Sequence, residues 1–96
     1  MDIVAMKPLG FYTNYTPGET SYLEEIQEKY GSHLEGINVR EKLYLIECIS
    51  SNLGIRAKDA VRPEMHWVAQ HAVKELEPCD QEGLIEALIT HVRHSE

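Results

Sequence analysis

The stretch Asn38-Val39-Arg40-Glu41-Lys42-Leu43-Tyr44-Leu45-Ile46-Glu47-Cys48-Ile49-Ser50-Ser51-Asn52-Leu53-Gly54 decides the fold class. Asn38 is a sound N-cap, and Glu41 three residues later can reach back to complete a capping box. Gly54 follows the last apolar residue, a natural place for a terminating glycine. Between them, at about 100° per residue, Val39, Leu43, Ile46, Ile49 and Leu53 share one face. Leu45 widens that face, and Tyr44 and Cys48 lie elsewhere around the barrel. A helix apolar nearly all round belongs at the centre of a structure.

Working outward, the same grammar recurs on both sides. Upstream, Ser21 opens a helix over residues 21–30, with Glu24 in capping-box position and Gly31 as its terminator. Leu23, Ile26 and Tyr30 form its apolar stripe, while Glu24, Glu25 and Glu28 share the opposite side. Downstream, Pro63 suits the first turn of a helix over 63–76, where its missing amide hydrogen costs nothing. Asp80 caps a last helix over 81–94, which carries Leu84, Ile85, Leu88, Ile89 and Val92 at bundle spacing. The segment from Ile55 to Arg62 has room for one further short turn.

Residues 1–20 read differently. Pro8, Gly10, Pro17 and Gly18 interrupt any helical period, and Pro17-Gly18 fits the centre of a type II turn. Phe11, Tyr12 and Tyr15 make this an extended aromatic arm docked on the body at 21–96. The expected fold is therefore all-α, a four-helix bundle-like single domain with an extended aromatic N-terminal arm.

Ninety-six residues is one domain's worth of chain. Sixteen acids against nine bases give a formal charge of -7, which disfavours nucleic acid and anionic membranes. No apolar run approaches the ~18 residues of a membrane span, and no basic leader opens the sequence. Cys48 and Cys79 are in no CxxC pair. These features imply a cytoplasmic protein with reduced thiols, in which the Asn14-Tyr15-Thr16 sequon is idle.

The third predicted helix carries the main anomaly. Met65, Val68, Ala69, Ala72 and Leu76 fall on one side, whereas Trp67, the only tryptophan, points nearly the other way. It shares that side with Gln70, His71 and Lys74 at i+3, i+4 and i+7. One reading makes Trp67 an anchor for a protein partner, since Trp is enriched at binding hot spots. The other covers it with the arm or another helix.

The remaining chemistry is thin. Arg56, Lys58 and Arg62 could grip an anion or simply offset the acidic body. His91 and His94 lie one turn apart, but His33, His66 and His71 complete no zinc pattern, so no metal or cofactor is expected. Cys79, between Pro78 and Asp80 at a helix N-terminus, is the more interesting thiol, yet Asp80 and Glu82 oppose its activation. No catalytic set is assembled.

Gly10-Phe11-Tyr12-Thr13-Asn14-Tyr15-Thr16-Pro17-Gly18, running into Leu23-Glu24-Glu25-Ile26-Gln27-Glu28-Lys29-Tyr30-Gly31, resembles short uncharacterised helical proteins of cyanobacteria. The likeness covers the first third of the chain and implies helices; it carries over no activity and no functional residue. The expected role is a small non-catalytic regulatory or adaptor protein acting through protein contacts, with a homodimer as its nearest variant. The reading from a different class is a small helical enzyme or enzyme subunit with a ligand in a His-containing pocket.

Overall fold

Ser21 and Asn38 begin helices because each side chain takes an amide that the first turn leaves without a partner. In the computed structural model, which describes residues 6–13 and 21–95, all regular structure is helical. The elements are α1 Leu9–Tyr12, α2 Tyr22–Tyr30, α3 Val39–Arg56, α4 Glu64–Glu75 and α5 Pro78–His94. The all-α expectation holds for the described residues. Met1–Ala57 and Lys58–Glu96 form two compact units. Each is described by itself.

In the first unit, part of the expected arm is helical. Pro8 stands at the N-cap of α1, and the Leu9 N–H donates to the Ser32 carbonyl at 2.7 Å. The Thr13 hydroxyl donates to the Leu9 carbonyl at 3.2 Å, closing the single turn. Proline and glycine tolerate one helical turn when the proline's absent N–H was an orphan anyway. The expected type II turn at Pro17-Gly18 and Tyr15 lie outside the described residues.

Helix α2 follows its caps. Ser21 Oγ accepts from the Glu24 N–H at 3.3 Å, and Glu24 and Glu25 favour the positive end of the helix. Gly31 ends it at φ 99, ψ 153, a region open essentially to glycine alone. The terminator is correct, although its backbone is not the left-handed helical form. The Glu35 carboxylate folds over the space a side chain at residue 31 would need. The connection to α3 is held by the Gly36 N–H donating to the Tyr30 carbonyl at 2.7 Å. Leu34 adopts φ 57, an uncommon state for a residue with a branched side chain.

The capping box of α3 is present in full. Asn38 Oδ1 accepts from the Glu41 N–H at 2.8 Å, and Glu41 Oε1 accepts from the Asn38 N–H at 2.9 Å. The helix does not stop at Gly54. It continues through Ile55 to Arg56, and the Ala57 N–H donates to the carbonyls of Leu53 and Gly54. Glycine permits termination without forcing it, and Arg56 in the last turn complements the negative end of the helix. Residues 57–62 contain no helix, so the suggested extra turn is instead the end of α3.

In the second unit, Pro63 is the N-cap of α4 rather than a residue inside it. Helix α5 starts at Pro78, three residues before the expected start, with Glu77 as N-cap and Asp80 within the first turn. Proline at N1 supplies a ready helical φ and sacrifices no hydrogen bond, so it overrides the weaker cap signal of Asp80. Gln81 ties the two helices together: its Nε2 donates to the carbonyls of Leu76 at 2.9 Å and Val73 at 3.2 Å. Those carbonyls would otherwise be left open at the end of α4.

Within neither unit does one helix pack along another, and none of the described residues is buried. On α3, Ile46 is 43% exposed and Val39 69%. No described helix is long and apolar enough to cross a membrane.

Two measurements check this account. Asn38→Ala should cost about 1 kcal/mol in denaturant unfolding, the usual loss when a cap is removed. Gly83, inside α5 with nothing within 4 Å of the space for a Cβ, should give a gain of about 0.5–1 kcal/mol as Gly83→Ala. A third concerns Glu35, whose own N–H and that of His33 hold its carboxyl below the ordinary 4.5. A lowered value means the loop contact is intact above 4.5 and is lost as pH falls through the folded value. The His33 amide proton resonance should therefore titrate with a midpoint below 4.5 and stay flat in Glu35→Gln.

Candidate interaction surface

Helix α4 follows the 3.6-residue period only in part: Val68 and Ala69 of the expected apolar side are exposed, and His71 of the other side is half-buried. Met65, Ala72 and Leu76 are half-buried, whereas Trp67 stands 63% exposed. The indole is not loose. Its ring lies 4.0 Å from the His71 ring, centroid to centroid, with 39° between the planes. His71 Nδ1 in turn pairs with the Glu75 carboxylate one turn further on. Trp67, His71 and Glu75 thus form a ladder at i, i+4 and i+8 along a single helix face.

Gln70 and Lys74 flank this ladder at i+3 and i+7 from Trp67, and both are exposed. The described structure therefore leaves Trp67 open and gives it one ring partner. Glu75 was absent from the sequence reading of this surface. The i, i+4 spacing of a histidine and a glutamate is the signal that reveals it. A flat aromatic ring oriented by a neighbouring imidazole, with amide, ammonium and carboxylate groups around it, is suited to recognising another protein surface.

The basic set divides between the two units: Arg56 closes α3, while Lys58 and Arg62 belong to Lys58–Glu96. Arg62 lies 4.0 Å from the Glu64 carboxylate, a largely exposed pair worth little. Among the described residues, no three His, Cys, Asp or Glu side chains are grouped to hold a metal ion. Cys48 and Cys79 are free and exposed, Cys79 in the first turn of α5.

Two further surfaces lie outside the Trp67 face. A shallow recess of about 210 Å³ is lined by Leu9, Tyr12, Leu34 and Lys42, among others. It depends on the Leu9–Ser32 hydrogen bond and on the positive φ of Leu34, neither of which leaves a local sequence signature. The second is α3 itself. Tyr44 and Cys48 pair one turn apart on its narrower apolar side, and hydrogen bonding to Cys48 pushes the Tyr44 phenol up, with Glu47 adding to the shift.

No family model matches this chain, and no curated protein or solved structure does either.

Proposed function

We propose that this chain is a small non-catalytic regulatory or adaptor protein that works through protein–protein contacts in the cytoplasm. The Trp67 face of α4 is its recognition surface, with Gln70, His71 and Lys74 contributing. The supporting observation is an exposed Trp67 ring that has a ring partner on its own helix face. The ring is 63% open to solvent, yet His71 stacks against it and Glu75 steadies His71. An ordered aromatic ring loses little side-chain entropy when a partner covers it, and it brings a large apolar area to the contact.

The fold reading extends the same way. The expected architecture is a four-helix bundle-like single domain, with the aromatic residues near the N-terminus docked on the helical body. A surface that is acidic overall favours a partner with a complementary basic patch.

Tryptophan fluorescence tests the site directly. The free protein should emit at the long wavelengths of a hydrated indole and be quenched readily by iodide and acrylamide. A blue-shifted, quencher-resistant spectrum would remove the surface. In parallel, Trp67→Ala should keep the far-ultraviolet circular dichroism of the wild type. It should also lose, by more than tenfold, any protein that wild-type bait retains from native extract. A partner held equally by both baits binds elsewhere and overturns the assignment.

A further inference from the structure

The recess beside α1 runs against the charge of the chain as a whole. Sixteen acids outnumber nine bases overall, yet the described lining of this space of about 210 Å³ holds Lys7, Lys42 and His33 and no acid. Its apolar lining comes from Met6, Leu9 and Leu34, the last two half-buried. Lys42 is half-buried as well, as suits a side chain whose aliphatic stem covers apolar surface while its head stays in water.

Neither lysine is neutralised by a close partner. Among the described residues, no carboxylate forms an ion pair with either ammonium. The Lys7 ammonium instead lies 5.2 Å from the centre of the Phe11 ring. Glu35 feels the Lys42 charge, but its carboxylate is taken up by its own N–H and that of His33. His33 has its Nδ1 engaged with the Ser32 hydroxyl at 3.0 Å, which leaves the two lysines as the anion-binding groups. A recess lined by one sign of charge over apolar walls concentrates the opposite charge.

We propose that this recess binds a small carboxylate with a compact apolar body, of the arylalkanoate class. Lys7 and Lys42 take the carboxylate through charge-assisted hydrogen bonds, and Met6, Leu9 and Leu34 cover the body. The size fits: an apolar cavity of about 150 Å³ holds a benzene ring, so this space suits a ring with a short acid arm. Inorganic phosphate would satisfy the ammoniums and leave the apolar lining in water, and a neutral hydrocarbon would do the reverse. All the lining residues belong to Met1–Ala57, and none belongs to the Trp67 surface, so the two sites stand or fall separately.

The test follows backbone amide resonances of the full chain during titration with hydrocinnamate. Shifts should centre on Leu9, Leu34 and Lys42 and reach half-saturation at or below about 1 mM, ordinary for a ligand of this size in an open site. The neutral alcohol analogue and inorganic phosphate should each bind at least about tenfold more weakly. Lys42→Gln should weaken hydrocinnamate by about tenfold while leaving the affinity for the alcohol unchanged, a split that loss of shape would not give. Lys7→Gln should act in the same direction.

Equal affinity for acid and alcohol overturns the proposal, because the recess is then an apolar patch alone. Equal affinity for phosphate overturns it too, as does the absence of saturable shifts at these amides. Shifts that grow with protein concentration without ligand, and vanish in Lys42→Gln, mean that an acidic segment of a second copy fills the recess; they also overturn it. If Lys42→Gln loses the wild-type amide pattern, Lys7→Gln and the three ligands on the wild type decide the matter.

Discussion

Helix α3 carries apolar side chains around much of its circumference, all of them exposed, and its stability therefore depends on how its ends are held. Eighteen residues is only just beyond the length at which isolated helices are marginal in water. The β-branched Val39, Ile46, Ile49 and Ile55 weaken its intrinsic preference further. Local devices secure its ends: the reciprocal Asn38–Glu41 bonds at one and the doubly bonded Ala57 amide at the other. Caps of this kind contribute about 1 kcal/mol each and cannot substitute for a buried face.

The parts of the fold that sequence made legible are those written in short-range chemistry. Ser21, Asn38 and Pro63 act through groups within four residues, so their helix starts are found within a residue. Gly54 and Asp80 misled for a related reason. Each is a permissive signal: α3 runs on past Gly54 to Arg56, and Pro78, with its fixed φ, sets the start of α5 ahead of Asp80. The turn at Leu9–Tyr12 was hidden because its anchoring bond comes from Ser32, more than twenty positions along the chain.

The candidate surface shows the same division. Helical periodicity placed Trp67 beside His71 without any tertiary information, and the rings do stack. The contribution of Glu75 is equally local, one turn beyond His71 and two turns beyond Trp67. The recess beside α1 was beyond reach, since it joins three segments and relies on a leucine in a conformation that leucine rarely adopts. Long-range geometry is what a single sequence conceals.

An uncovered α3 has a consequence for the cell as well as for the molecule. A helix offering a continuous aliphatic stripe is the kind of segment that chaperones retain and proteases attack when its proper cover is absent. Copies left over from assembly would be cleared, and copies that find their cover would persist. The steady-state amount of this protein would then follow the supply of whatever covers α3 more closely than its own rate of synthesis. Abundance would itself become a record of assembly.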